Sequence, residues 1–190
     1  MNLLGSSYST VCAAAWLGCV LVSPAPARAQ TFVELGGGWN YVAPVPSSVN
    51  YGKGVNVQAS IGWQVAPNLR WRIDALTSQF DVKSTVPLPC PSFGCSGPGY
   101  SFQHERVNGL TADALVNVDS RGLLYLVGGA GLYGVTTQTT AWHFGAAAGA
   151  GIAIPVARHL RAFVEARWHG LAGVTAGPPW LVPVTVGLRY

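Results

Sequence analysis

The sequence predicts an all-β fold: an eight-stranded antiparallel up-and-down transmembrane β-barrel behind an N-terminal signal peptide. Three observations carry that expectation. Charged residues make up only 9% of the 190 residues and hydrophobic ones 49%, whereas a soluble domain usually carries about 25% charged residues. Beyond residue 29, apolar side chains recur at every second position in successive stretches of about ten residues, the period of a strand with two unlike faces. Finally, the links between those stretches alternate between tight and long.

The low charge is not a mark of disorder, because aromatic and β-branched residues are plentiful. The formal net charge is +4, but Lys and Arg are scattered and form no run that would suit nucleic acid. The N-terminus reads as an export signal. Val11 to Val22 is an apolar core of signal length, Ser23-Pro24-Ala25-Pro26 breaks it, and Ala27-Arg28-Ala29 supplies a small-x-small cleavage pattern. The expected division is therefore a signal peptide over 1–29 and a barrel domain over 30–190. The segment before Val11 lacks Lys and Arg, which leaves an uncleaved anchor as the alternative. A lipoprotein site at Cys19 is a poorer fit, since Trp16-Leu17 precede it and Val20-Leu21-Val22 continue the apolar core.

No stretch after Ala29 reaches the roughly 20 apolar residues of a spanning helix. The first strand is expected over Phe32–Tyr41, with Val33, Leu35, Trp39 and Tyr41 in one phase and Glu34 and Asn40 in the other. The second, Val55–Val65, sets Val57, Ala59, Ile61 and Trp63 against Asn56, Gln58 and Ser60. A third starts at Leu69, with Trp71, Ile73 and Ala75 against Arg70, Arg72 and Asp74. The fourth runs to Val118, with Leu110, Ala112, Ala114 and Val116 against Thr111, Asp113 and Asn117. In the fifth, Leu123–Val135, both phases are apolar or Gly and the facing stays open. The sixth sets Phe144, Ile152 and Ile154 against Gly145, Gly149 and Gly151. The seventh sets Leu160, Val164 and Trp168 against His159, Arg161, Glu165, Arg167 and His169. The eighth sets Val182, Val184, Val186, Leu188 and Tyr190 against Thr185, Gly187 and Arg189.

Alternation alone also suits a soluble sheet with one wet face, so a soluble β-barrel or sandwich is the competing architecture. Connection length argues against it. The links after the second, fourth and sixth strands are tight (Ala66-Pro67-Asn68, Asp119–Gly122, Ala157-Arg158), while Val42–Gly54, Lys83–Tyr100 and Leu171–Pro179 are long. Short turns at one end and long loops at the other are the habit of membrane barrels. Charge placement points the same way. An Arg on the lipid face costs about 2–4 kcal/mol at the bilayer midplane and far less in the lumen. The charges of the third and seventh strand cores share one parity. An inward charge network is therefore expected, with Arg70, Arg72, Arg161, Arg167 and Arg189 opposite Glu34, Asp74, Asp113 and Glu165. Trp63, Trp71 and Tyr190 fall near the tight-turn end, and Trp39, Tyr41, Trp142, Trp168 and Trp180 near the other, where interfacial girdles would sit.

Cys90 and Cys95 remain after the signal, in a Pro/Gly/Ser-rich link. An even pair in an exported chain points to a loop disulfide, and His104 alone is too little to complete a metal site. No metal, nucleotide or haem site is expected. Gly36–Gly38 lacks the Lys and Ser/Thr of a phosphate loop and lies within a strand.

Residues 30–190 resemble the small outer-membrane β-barrel superfamily, with its OmpA-type and opacity-type barrel domains. The most specific piece is Pro183-Val184-Thr185-Val186-Gly187-Leu188-Arg189-Tyr190. A terminal aromatic after alternating apolar residues (Val184, Val186, Leu188, Tyr190) is similar to the signal read by that family's insertion machinery. The Gly-rich fifth and sixth strands and His159–His169 share the likeness. The resemblance implies a bacterial outer-membrane location and contact with outer-membrane lipid and lipopolysaccharide. It also implies help from periplasmic chaperones and the barrel-assembly machinery, a monomeric state, and no cofactor. It leaves activity open, because fold does not fix function.

The leading expectation is a non-enzymatic barrel with a filled lumen, structural in the envelope or acting through its loops. One alternative is a lipid A-modifying enzyme. His104-Glu105 and His169 are the candidate groups, but neither histidine has the serine two residues on that the family's deacylase motif requires. The other alternative, a narrow channel, fits poorly with so many inward charges.

Overall fold

The computed structural model describes residues 30–42, 49–86, 99–175 and 177–190; the expected signal segment 1–29, Cys90 and Cys95 lie outside them. Eight strands follow in chain order: β1 (Thr31–Tyr41), β2 (Val49–Ala66), β3 (Leu69–Val86), β4 (Gly99–Asn117), β5 (Leu124–Thr136), β6 (Thr140–Ala157), β7 (Leu160–Leu171) and β8 (Trp180–Arg189). Each pairs antiparallel with the next, and β8 pairs back onto β1 to close the barrel. Where all eight strands run side by side, closure leaves no sheet edge, so there no row of backbone N–H and C=O groups needs water.

The β2–β3, β4–β5 and β6–β7 turns and both described termini gather at one end, here the turn end. The turn after β4 shows how tightly the chain reverses there. The Asp119 carboxylate accepts the backbone N–H of Leu124 at 2.8 Å and of Arg121 at 3.2 Å. Gly122 takes a φ of 63°, a left-handed conformation that a side chain would resist. At the opposite, loop end, β2, β3 and β4 are longer than the alternation predicted. Strand β2 begins at Val49 rather than Val55, β3 continues past Lys83 to Val86, and β4 begins at Gly99. The expected links Val42–Gly54 and Lys83–Tyr100 are thus partly ladder, and β3 pairs β4 without a break from Leu69↔Val116 to Val86↔Gly99.

The barrel wall separates two surfaces. Leu35, Ile61, Leu110, Phe144, Ile154 and Leu188 all point outward and are exposed, Phe144 by 75%. The outward positions of β5 are Leu124, Leu126 and Leu132, and Tyr125, Val127, Tyr133 and Val135 are buried inside, which resolves the facing of that strand. Above Ala75 on β3 the polarity inverts. Leu76, Phe80 and Val82 are buried, while Thr77, Gln79 and Asp81 face outward. They stand beside Asn108, Arg106 and His104 of β4. Four of those outward groups pair across the strands: Thr77 Oγ1 donates to Asn108 Oδ1 at 2.9 Å, and His104 Nδ1 lies 2.8 Å from the Asp81 carboxylate.

The interior is layered. Leu76, Phe80, Val107, Tyr133, Leu171 and Leu181 form an apolar cluster toward the loop end. Below it come the buried charges of β1, β3, β4 and β7. A smaller cluster of Leu115, Tyr125, Val127, Ala153 and Phe163 packs toward the turn end.

Candidate functional site

The charged layer is built by strand parity. Successive residues of a strand face opposite sides, so alternate positions of β3 (Arg72, Asp74) and β7 (Glu165, Arg167) enter the lumen together. Asp113 of β4 arrives opposite Arg72, and Glu34 of β1 opposite Arg189 of β8. Glycine makes the room. A Cβ at Gly149 would come within 2.7 Å of the Arg167 Cγ, and one at Gly151 within 2.5 Å of the Tyr125 hydroxyl. Large side chains on β5 and β7 thus lie over glycine backbone on β6.

Arg72 is the hub. Its Nη1 donates to Glu34 Oε2 at 2.6 Å and to Glu165 Oε2 at 3.1 Å, and its Nη2 to Glu165 Oε1 at 3.0 Å. Its Nε lies 2.9 Å from Asp74 Oδ2. Arg167 completes the lattice: its Nη1 reaches Asp74 Oδ2 at 2.7 Å and Asp113 Oδ2 at 2.6 Å, and its Nε reaches Glu165 Oε1 at 2.7 Å. Arg189 Nε donates to Glu34 Oε1. All of these side chains are at least 95% buried. Charges removed from water in this way are tolerable only when paired and hydrogen-bonded. Neutral donors add to it, Tyr125 to Glu165 at 2.9 Å, Thr111 to Asp113 at 3.1 Å and Gln58 to Asp74 at 3.4 Å, while Asp113 Oδ1 and Arg167 Nη2 have no hydrogen-bond partner among the described residues. The lattice ties β1, β2, β3, β4, β5, β7 and β8 together across the lumen.

Arg70 and Arg161 differ from the other predicted network members. Neither lies within 4.0 Å of a carboxylate among the described residues. Arg70 Nη2 donates to Asn117 Oδ1 at 2.6 Å, and Arg161 Nη1 to the Gly122 carbonyl at 3.0 Å. Both sit at the turn end, below the lattice. His159, expected inside, is exposed in the β6–β7 turn. His169 is fully buried above the lattice, its Nδ1 2.8 Å from the Tyr133 hydroxyl. His104 faces outward, whereas its neighbour Glu105 is buried, so adjacent residues that sequence alone could combine point to opposite sides of the wall. At the C-terminal signal positions, Val186, Leu188 and Tyr190 are exposed and Val184 half-exposed, all on the outer face.

No protein-family model matches the sequence, and no curated protein matches it. Solved structures do. The crystal structure of neisserial surface protein A (NspA) superposes with a TM-score of 0.55 at 15% identity, covering 84% of this chain and 95% of that one. The outer membrane protein OprG from Pseudomonas aeruginosa gives a TM-score of 0.52 at 10% identity, covering 85% and 96%. The fold is that of the small outer-membrane β-barrels. At such identities the likeness extends to architecture and not to role. Within that architecture, the lattice fills an eight-stranded lumen, which is just wide enough for side chains.

The sequence does not single out Tyr125, Tyr133 or Glu105 as members of the interior. For the tyrosines the reason is the ambiguity of β5, where glycines blur the alternation. The signal was present in the even spacing of Tyr125, Val127, Tyr133 and Val135. For Glu105, the sequence places it beside His104 near the top of the fourth strand without assigning either residue a side of the wall.

Proposed function

We propose that this protein is a non-enzymatic barrel of the bacterial outer membrane. Its interior is closed by charged side chains, and it acts as an envelope-stabilising scaffold that presents its loop end at the cell surface. The carrying observation is the pairing of an apolar outer belt with a lumen bridged by the Arg72–Arg167 lattice. An exposed belt of Leu, Ile, Val and aromatic residues is stable only against hydrocarbon, and an apolar band about 25 Å tall is what such a membrane requires. The turn end faces the periplasm in this reading, the chain is exported by way of its signal segment, and it enters the membrane as a monomer with periplasmic chaperones and the barrel-assembly machinery. Its immediate surroundings are outer-membrane lipid and lipopolysaccharide.

The long β3–β4 hairpin supports the display role. Its outer face is polar at Thr77, Gln79 and Asp81 of β3 and at His104 and Asn108 of β4, which supports this end of the hairpin standing in water beyond the belt. Loops held by a rigid scaffold are a common place for binding.

Planar-bilayer recording of the purified protein, paired with gel mobility before and after heating, tests the reading. The expected result is a heat-modifiable band and no reproducible unitary current. Steady single-channel currents from the folded form would replace the closed scaffold by a pore. A changed lipid A acylation pattern in cells carrying the protein would replace it by an enzyme.

A further inference from the structure

The turn end of the lumen opens into a cavity of about 730 Å³. Its lining includes Arg70, Arg121, Arg158, Arg161 and Arg189, together with His159, and no Asp or Glu. The imbalance is a property of the whole chain. Of its seven acidic residues, Glu34, Asp74, Asp113 and Glu165 are in the lattice, Asp81 and Glu105 are at the loop end, and Asp119 is held by its own turn. The segments outside the described residues contain neither Asp nor Glu. Among the described residues, no ion pair within 4.0 Å joins Arg70, Arg121, Arg158 or Arg161 to any carboxylate, the one on Tyr190 included.

Two of these arginines are set in place before any ligand arrives. Arg70 lies 5.8 Å from the Phe32 ring and 5.6 Å from the Tyr125 ring, and Arg189 lies 5.3 Å and 5.0 Å from the same two rings. Two like-charged guanidiniums therefore share one pair of aromatic faces. Arg189 is buried, at 4% exposure, yet among the described residues its Nη1 and Nη2 have no hydrogen-bond partner, and neither does Arg70 Nε. Buried donors are rarely left this way without a ligand or ion to take them. Guanidinium forks match the geometry of tetrahedral oxyanions, and an anion between two arginines also relieves their repulsion.

We infer that this vestibule is a phosphate-binding site, held by Arg70, Arg161 and Arg189 within and by Arg121 and Arg158 at the rim. The phosphate is either a free oxyanion or the headgroup of an anionic phospholipid. The site is independent of the scaffold role proposed above, because it rests on charge and geometry at one end of the lumen.

The protein purified in a neutral detergent is titrated with inorganic phosphate at constant ionic strength, and heat release is measured. In parallel, native mass spectrometry reads retention of phosphatidylglycerol against phosphatidylcholine from mixed micelles. Saturable binding in either arm supports the site, and the arm that responds names the source. Arg161→Gln and Arg158→Gln, which leave the lattice intact, are each expected to weaken that binding about tenfold or more, the loss of a charge-assisted hydrogen bond. Arg106→Gln, outward at the loop end, is expected to leave it unchanged. Folding of every variant is checked by heat-modifiable mobility. The inference is overturned if neither phosphate nor phosphatidylglycerol binds the folded protein, or if binding is equally strong in Arg161→Gln and Arg158→Gln.

Discussion

Phe80 and Arg72 lie on the same face of β3, point into the same lumen and are both almost fully buried, at 0% and 1% exposure. They are held in opposite ways. Phe80 packs among Leu76, Val107, Tyr133 and Leu181, and the wall outside it carries Gln79 and Asp81. Arg72 is caged by carboxylates, and the wall outside it carries Trp71 and Ile73. Along β3 and β4 near the loop end the wall is built like that of a water-soluble barrel, apolar within and polar without. Lower down it is inside out. The same ladder geometry serves both, so the medium beyond the wall decides which kind of core holds. In water, burying Phe80 gains hydrophobic free energy. Against hydrocarbon, moving an apolar side chain inward gains almost nothing, and cohesion must come from packing and polar pairing.

The largest effect expected on this contrast comes from removing the hub. Arg72→Met keeps side-chain length but leaves Glu34, Asp74 and Glu165 short of a cation. Breaking a buried pair costs about 3–5 kcal/mol, and with several carboxylates affected the upper end is expected. Urea unfolding in lipid vesicles followed by tryptophan fluorescence measures it. A loss under 1 kcal/mol would mean that water reaches the lattice and that the lumen is open.

Phe80→Ala tests the other core and is expected to cost about 3 kcal/mol, the lower end for truncating a buried aromatic. The two losses should also differ in character. That of Arg72→Met falls on folding into lipid, whereas that of Phe80→Ala loosens only the projecting part of the hairpin. Hydrogen exchange separates them, with deprotection confined to β3 and β4 above Ala75 in the Phe80 variant.

A charge on the outer face maps the boundary between the two regions. Ile61→Arg, in the belt, is expected to cost about 2–4 kcal/mol, and Gln79→Arg, above it, about 0–1 kcal/mol. Equal costs from vesicle unfolding would erase the boundary drawn at Ala75.

The inversion also explains what the sequence made legible. Wherever the outside is apolar, parity revealed the strand and the charges behind it, so Arg72, Asp74, Asp113, Glu165 and Arg167 were readable as one inward set. Above Ala75 the alternation persists with its sign reversed: Leu76, Phe80 and Val82 fall in the phase that carried charges lower down. The expected third strand runs past that reversal to the link at Lys83, so the strand is legible there while its facing is not, because Gln79 and Asp81 fall in the phase that faces lipid lower down. Which carboxylate meets which arginine was not legible, because those distances depend on register around the closed ring. The basic vestibule was hidden for the same reason. Arg70 and Arg161 share parity with the lattice, and only the three-dimensional packing shows that Glu34, Asp74, Asp113 and Glu165 are all claimed above them.

The smallest effect is expected at the turn after β4, where water lies on both sides and neither kind of core applies. The backbone N–H groups of Leu124 and Arg121, donated to Asp119, hold its carboxyl below the usual carboxylate range. A group whose folded pKa is depressed contributes its stability in full above its unfolded pKa and loses it as pH falls through the lower folded value. Asp119→Ala should therefore lower the urea midpoint slightly, by a constant amount above about pH 4, the ordinary carboxylate value. The wild-type advantage should shrink on further acidification. The comparison is made in the difference between the two proteins, so that titration of the shared lattice cancels. A wild-type advantage that grew with added acid would mean that the bonds to Leu124 and Arg121 do not hold Asp119 in its charged form.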